Sequence, residues 1–121
     1  MTKDLVTCPI ENTLKLINRK WTIVLIRDMF NGKKYFREFA ENNEGLSNAV
    51  LSDTLKYMEN NGLIFKRDSE YYLTERGLRL NRILYKMAVF GLEELECGDE
   101  GDLEIIDMFK EYYARLLNVG E

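Results

Sequence analysis

Apolar side chains along this chain recur mostly at helical spacing, with one short alternating stretch in the middle. Residues 9–17 carry Ile10, Leu14 and Ile17 as the expected buried stripe of a first helix. Pro9 suits the first helical position, which places Cys8 at or beside the N-cap, and the helix should end near Asn18-Arg19-Lys20. Residues 21–30 are apolar nearly all round, interrupted only by Thr22, Arg27 and Asp28, so this second helix belongs at the centre of a fold. Asn31-Gly32 stops it, and Lys33-Lys34-Tyr35 forms a short extended link.

Residues 35–62, YFREFAENNEGLSNAVLSDTLKYMENNG, read as two helices joined by a tight turn. Phe36, Phe39 and Ala40 mark the first, and Glu44-Gly45 breaks it, glycine taking positive φ there without steric cost. Leu46 precedes Ser47, whose hydroxyl is placed to accept from amides two or three residues on. Val50, Leu51, Leu55 and Met58 fall on one face of the second helix, and Asn61-Gly62 ends it. The opposite face shows Asn48, Ala49, Ser52, Asp53 and Lys56, all small or polar. A helix of this make-up suits the major groove of DNA. An ordinary surface helix shows the same pattern, and these residues alone leave both readings open.

After Gly62, residues 63–67 read as a strand, Asp68-Ser69-Glu70 as a turn and residues 71–73 as the return strand. A hairpin directly after a helix-turn-helix is a wing. Thr74 then caps a long helix expected from Glu75 to about Glu96, with Leu80, Ile83, Leu84, Met87, Phe90 and Leu95 apolar. The run CGDEGD at 97–102 breaks it, and a final helix over 103–117 carries Leu103, Ile106, Phe109, Tyr113, Leu116 and Leu117. The expected fold is mainly α with a small β-hairpin wing, a winged helix-turn-helix with additional C-terminal dimerisation helices. It forms one domain over 1–121, with a DNA-binding core over 1–77 and dimerisation helices over 78–121. The last two helices bring more apolar surface than a compact winged core covers, which points to a second copy rather than to packing on their own core.

Composition narrows the function classes. A length of 121 residues suits one domain, and 45% apolar residues with one proline suit a helix-rich globular chain. The longest apolar run, residues 23–26, is far too short to cross a bilayer, and residues 1–7 lack a signal-peptide core, so the expected location is the cytoplasm. Cys8 and Cys97 are far apart, and reduced thiols are expected. The absence of histidine removes the commonest general base and zinc ligand, so neither an enzyme nor a metal or other cofactor is expected. The net charge of −4 is unevenly spread. Residues 1–92 hold 15 Lys and Arg against 11 Asp and Glu, a net +4, while residues 93–121 hold 2 against 10, a net −8. Screening over roughly 10 Å keeps a distant acidic helix from cancelling a local basic face.

An ordered set of fragments then resembles the HxlR-type winged helix-turn-helix transcriptional regulators, relatives of the MarR group. It runs Cys8-Pro9-Ile10-Glu11, Leu14, Ile17, Lys20-Trp21-Thr22, Gly32, Phe36, Glu38, LSNAVLSDTLKYMENNGLI over 46–64, and Leu73-Thr74 with Gly77. The resemblance covers roughly residues 8–80; each fragment is weak alone, and the ordered set is specific. It implies a cytoplasmic homodimer that binds double-stranded DNA at an inverted repeat near promoters, with dimer contacts from the terminal helices. Three features depart from the family pattern: Ala49 replaces a usually basic residue, Asp53 replaces a usual amide, and the wing is short and acidic at its turn.

Roles can be assigned on that basis. Lys34, Arg37, Ser47, Lys66 and Arg67 are the candidates for phosphate contacts, and Asn48, Ser52 and Lys56, at i, i+4 and i+8, for base edges. Tyr57 is expected to pack, beneath the wing, and Trp21 to anchor the central helix. Cys8 is a candidate redox sensor, because amide dipoles at a helix N-terminus stabilise a thiolate; a plain capping role is the other reading. Some similar proteins sense electrophiles or oxidants through the matching cysteine, so an effector of that class is implied. The leading expectation is a DNA-binding repressor, and the rival is a winged-helix module that contacts proteins instead.

Overall fold

The computed structural model describes residues 8–95 and 103–120. In chain order these form α1 (Pro9–Ile17), α2 (Lys20–Phe30), α3 (Phe36–Asn42), α4 (Asn48–Asn60), β1 (Ile64–Arg67), β2 (Glu70–Leu73), α5 (Glu75–Leu78), α6 (Asn81–Glu94) and α7 (Leu103–Leu116). The expected turn at 97–102, with Cys97, lies outside the described residues. The core gathers Leu25 and Ile26 of α2, Phe39 of α3, Leu51, Leu55 and Met58 of α4, and Leu63 and Ile64 at the start of the hairpin, all nearly or fully buried. α2 packs against α1, α4 and β2, which is the central place its all-round apolar surface requires.

β1 and β2 pair antiparallel with Ile64 opposite Leu73, Phe65 opposite Tyr72, Lys66 opposite Tyr71 and Arg67 opposite Glu70. The turn is shorter than expected: Asp68 takes a φ of 57° and Glu70 joins the strand. The link before α3 contributes one isolated bridge, Tyr35 with Glu70, and the Lys34 carbonyl accepts from the Tyr71 amide at 2.8 Å. Thr74 closes the base of the hairpin. Its hydroxyl donates to the Gly62 carbonyl at 2.6 Å and accepts from the Gly77 amide at 3.0 Å, while its own amide donates to the Leu63 carbonyl at 3.0 Å.

Three expectations about packing are corrected. Ile10 and Leu14 are 77% and 57% exposed, so of the expected α1 stripe only Ile17 packs against the core, with Leu16 beside it. Helical periodicity marks an apolar face without saying what covers it. Val50 is 43% exposed, and Thr54 takes the place expected for it, its hydroxyl satisfied by the Val50 carbonyl at 2.8 Å. The long helix from Glu75 is broken. Thr74 caps a single turn, α5, and after Arg79-Leu80 the chain starts a new helix at Asn81. Gly77, a poor helix former, lies against the Leu63 backbone, and Leu80 is buried in the core, so both sides of the break are tied to the body of the fold.

α6 and α7 pack on each other, with Lys110 paired to Glu93. The Asn81 side chain donates to the Leu117 carbonyl at 2.9 Å, and Leu117 is buried in the core. The two helices therefore fold back at one end only. Met87, Phe90 and Leu95 on one, and Met108, Phe109 and Tyr112 on the other, stay exposed.

A Cβ at Gly77 would collide with the Leu63 carbonyl oxygen and press to 3.1 Å from Leu73 Cδ2. Gly77→Ala should therefore lose about 1–3 kcal/mol in urea unfolding, as overpacking does. A variant as stable as the parent would mean that α5 does not lie this close to the hairpin.

Candidate nucleic-acid interface

The turn between α3 and α4 is held from beneath. Gly45 takes φ +89°, buried Leu46 drops into the core, and the Ser47 Oγ accepts from the Val50 amide at 3.1 Å, so the expected N-cap forms. Under the turn lies Asp28, fully buried on α2. Its carboxylate accepts from Arg27 Nε at 3.1 Å and Nη2 at 2.8 Å, from Asn42 Nδ2 at 3.1 Å and from Asn43 Nδ2 at 2.7 Å. Asn43 also donates to the Phe39 carbonyl at 2.9 Å and accepts from Arg27 Nη2 at 3.2 Å. This network is hidden in the sequence, where Asp28 is only an interruption of an apolar helix. An acid inside such a helix, with an Asn-Asn pair ahead of the turn glycine, is the signal that could have found it.

α4 sets Leu51, Thr54, Leu55 and Met58 inward and leaves Asn48, Ala49, Ser52, Asp53 and Lys56 exposed. The side chains of Asn48, Ser52 and Lys56 hold no hydrogen bond or ion pair among the described residues, so one helix face presents three free polar groups. Tyr57 packs, but against α1 rather than beneath the wing: its hydroxyl donates to the Leu16 carbonyl at 2.7 Å and Arg19 lies 3.9 Å above its ring. That contact locks the end of α1 onto α4. Trp21 is partly buried against the core, with Lys20 4.8 Å from its ring.

The remaining candidates divide between two places. Lys34, in the link just before α3, faces the second strand of the wing, 3.8 Å from the Glu70 carboxylate, which also accepts from the Tyr35 hydroxyl at 2.9 Å and from Tyr72. Glu70 is therefore engaged, and the turn is less acidic than it reads. The same hydrogen bond raises the Tyr35 phenol above its ordinary value, with the Glu70 charge as the second cause. Arg37 makes only an exposed i,i+4 pair with Glu41 at 4.0 Å, a contact a phosphate can readily replace. Lys66 and Arg67 are exposed on β1, near the Tyr71 and Phe65 rings at 5.4 and 5.8 Å. Cys8 is the N-cap of α1 and half-buried, and its side chain makes no capping hydrogen bond.

Among the described residues no three His, Cys, Asp or Glu stand close enough to hold a metal ion, and no helix is long and apolar enough to cross a membrane.

A model of the HxlR-like helix-turn-helix family matches residues 16–99. The chain is similar to the uncharacterized HTH-type transcriptional regulator sll1512 of Synechocystis, 31% identical over 74% of this chain and 71% of that one. It is similar also to the uncharacterized HTH-type transcriptional regulator YdeP of Bacillus subtilis, 32% identical over 73% of this chain and 74% of that one. In structure it resembles the reduced form of the transcriptional regulator YodB from B. subtilis, with a TM-score of 0.62 and 25% identity, covering 78% of this chain and all of that one.

Glu38 holds the entry to α3. Its Oε1 accepts from the Lys34 amide at 2.8 Å and the Tyr35 amide at 3.0 Å, and these two bonds hold its carboxyl below the ordinary carboxylate value of 4.5. A lowered folded-state value means a contribution to stability that is complete well above 4.5 and is lost as pH falls through the folded value. Glu38→Gln should therefore be less stable than the parent at pH 7, and the gap should close in acid. Urea unfolding at both ends of that range checks it, and a gap independent of pH would rule out the charge as the cause.

Proposed function

This chain belongs to the HxlR-like helix-turn-helix family, and on that premise we propose that it is a cytoplasmic, DNA-binding transcriptional repressor that acts as a homodimer on an inverted-repeat operator. The observation that carries this reading is the exposed outer face of α4, where Asn48, Ser52 and Lys56 stand free on a helix whose other face is buried. Side chains of this kind match the donor and acceptor edges of the major groove, and Asp53 beside them can accept from cytosine N4.

Ser47, with the free amides at the start of α4, seats on phosphate, together with Arg37. Lys34, Lys66 and Arg67 put positive charge at the base and on the first strand of the wing, so the wing binds backbone rather than reading sequence. The uncovered apolar side chains of α1 and of the α6–α7 pair are the surfaces through which two copies join. Two recognition helices related by a two-fold axis then meet half-sites about one helical turn apart. A dimer seated on a promoter excludes polymerase, which is repression.

Cys8 is the proposed sensor for an oxidant or small electrophile. Its support is its place at the α1 N-terminus, partly open to solvent and beside the uncovered face of α1, and the similarity to YodB, solved in a form described as reduced. Oxidation there would alter the face through which the copies meet.

Binding to labelled promoter DNA should weaken steeply with salt, and Lys66→Ala with Arg67→Ala should flatten the log–log slope by about 0.9 for each phosphate no longer neutralised. Asn48→Ala should instead cost about 1–3 kcal/mol of discrimination at one base position, with the slope kept. Absence of binding even at low salt would favour a protein-contacting module.

Diamide should release DNA from the parent and leave the Cys8→Ser complex intact. Equal release from both removes Cys8 as the sensor.

A further inference from the structure

Two kinds of cation stand at the wing. Lys66 and Arg67 on β1 are exposed and hold no ion pair among the described residues, whereas Lys34, in the link before α3, lies 3.8 Å from the Glu70 carboxylate. Arg67 stands opposite Glu70 in the strand register, yet the carboxylate faces Lys34 instead. Two hydroxyls converge on it as well. Tyr35 donates to Oε2 at 2.9 Å and Tyr72 to Oε1, the oxygen that Lys34 also faces. One ammonium and two phenols thus enclose a single carboxylate.

These donors form a receptor for a monoanion with two free oxygens. A carboxylate is one such group and a phosphodiester is another, since its two non-bridging oxygens share a single negative charge. Backbone bonds keep the donors in place without the carboxylate. The Lys34 carbonyl accepts from the Tyr71 amide at 2.8 Å, the Lys34 amide donates to Glu38 at 2.8 Å, and Tyr35 bridges to the backbone of residue 70. The Lys34 and Glu70 side chains are 42% and 29% exposed, so their ion pair is screened by solvent and weak enough for a polyanion to displace. While the carboxylate stays, it both occupies Lys34 and repels an approaching phosphate.

We propose that Glu70 is a built-in competitor of DNA, its carboxylate occupying a phosphate site made by Lys34, Tyr35 and Tyr72. This rests on the DNA-binding role proposed above and adds that the wing of the free chain is masked at its base. Lys34 is then a contact held in reserve, and residue 70 sets how tightly the wing grips the backbone without touching a base. Phosphate contacts carry no sequence information, so the competition lowers affinity for every sequence alike.

The test is a double-mutant cycle on the full chain, with binding to a labelled mixed-sequence DNA duplex read at several salt concentrations. Glu70→Gln keeps an oxygen for the two hydroxyls and removes the charge. It should steepen the log–log slope by about 0.9 per subunit and tighten binding about five- to tenfold per subunit at about 0.1 M salt. Lys34→Met, which keeps the stem and loses the charge, should cost the parent less than about twofold, yet it should erase the gain of Glu70→Gln. Asp68→Asn removes the same charge from the turn, where asparagine suits the φ of 57°, and any gain from it should be equal with and without Lys34→Met. The proposal fails if Glu70→Gln binds no better than the parent, or if its gain survives Lys34→Met, since general repulsion then explains it. A Glu70→Gln chain that does not fold makes the carboxylate a structural staple and overturns the proposal, as does a large loss from Lys34→Met in the parent. If none of these proteins binds DNA even at low salt, the function proposed above falls too; binding by all of them with additive effects removes the masking alone.

Discussion

One buried carboxylate sets the geometry on which everything outward depends. Removing Asp28 from water is costly unless its oxygens are fully supplied with donors, and four hydrogen bonds from three side chains supply them. Two of those side chains, Asn42 and Asn43, belong to the end of α3 and the turn that follows it. Satisfying the acid therefore means placing that turn at one position on α2. Gly45 bends the chain, Leu46 fills the core and Ser47 caps the next helix, each a local event, but the Asp28 network makes them share one frame. A helix that offers its side chains to a groove needs such a frame, because Asn48, Ser52 and Lys56 on its outer face make no hydrogen bond or ion pair among the described residues that could hold it in position.

The parts legible from sequence were those governed by neighbours in the chain. Glycine at 32, 45 and 62, each with positive φ, and serine at 47 announce helix ends by their own stereochemistry. Thr74 does the same. What lay hidden was set by residues far apart. Nothing in the periodicity of Ile10 and Leu14 tells a face buried inside the molecule from one left open, and the spacing of Val50 cannot show that Thr54 will take the inward place. The break at Arg79-Leu80 follows from where the Leu63 backbone passes Gly77, which only the folded hairpin decides. For the candidate site, the exposed face of α4 was readable because it is the complement of a core stripe. The engagement of Lys34 with Glu70 was not, since it joins the link before α3 to the second strand of the wing.

Charge in this molecule is better described by partners than by totals. Glu70, which reads as part of an acidic tip, accepts from two tyrosine hydroxyls and faces Lys34, so the link before α3 and the second strand are one electrostatic unit. Arg19, the N-cap of α2, lies over Tyr57, where the stacking ties the link between α1 and α2 to α4 at the cost of little of its charge. Acidic residues concentrate instead beyond position 92, away from these contacts along the chain.

The clasp made by Thr74 has an evolutionary consequence. With Gly62, Leu63 and Gly77 all fastened to one residue, the two strands leave a base that is complete before the tip is reached. Residues inserted at Asp68-Ser69 would lengthen an already closed loop, and doubling such a loop costs only about 0.6 kcal/mol of closure entropy. Reach can therefore drift freely among descendants of this fold while the helices beneath stay in register, and a short tip here is a setting that selection can extend without rebuilding what carries it.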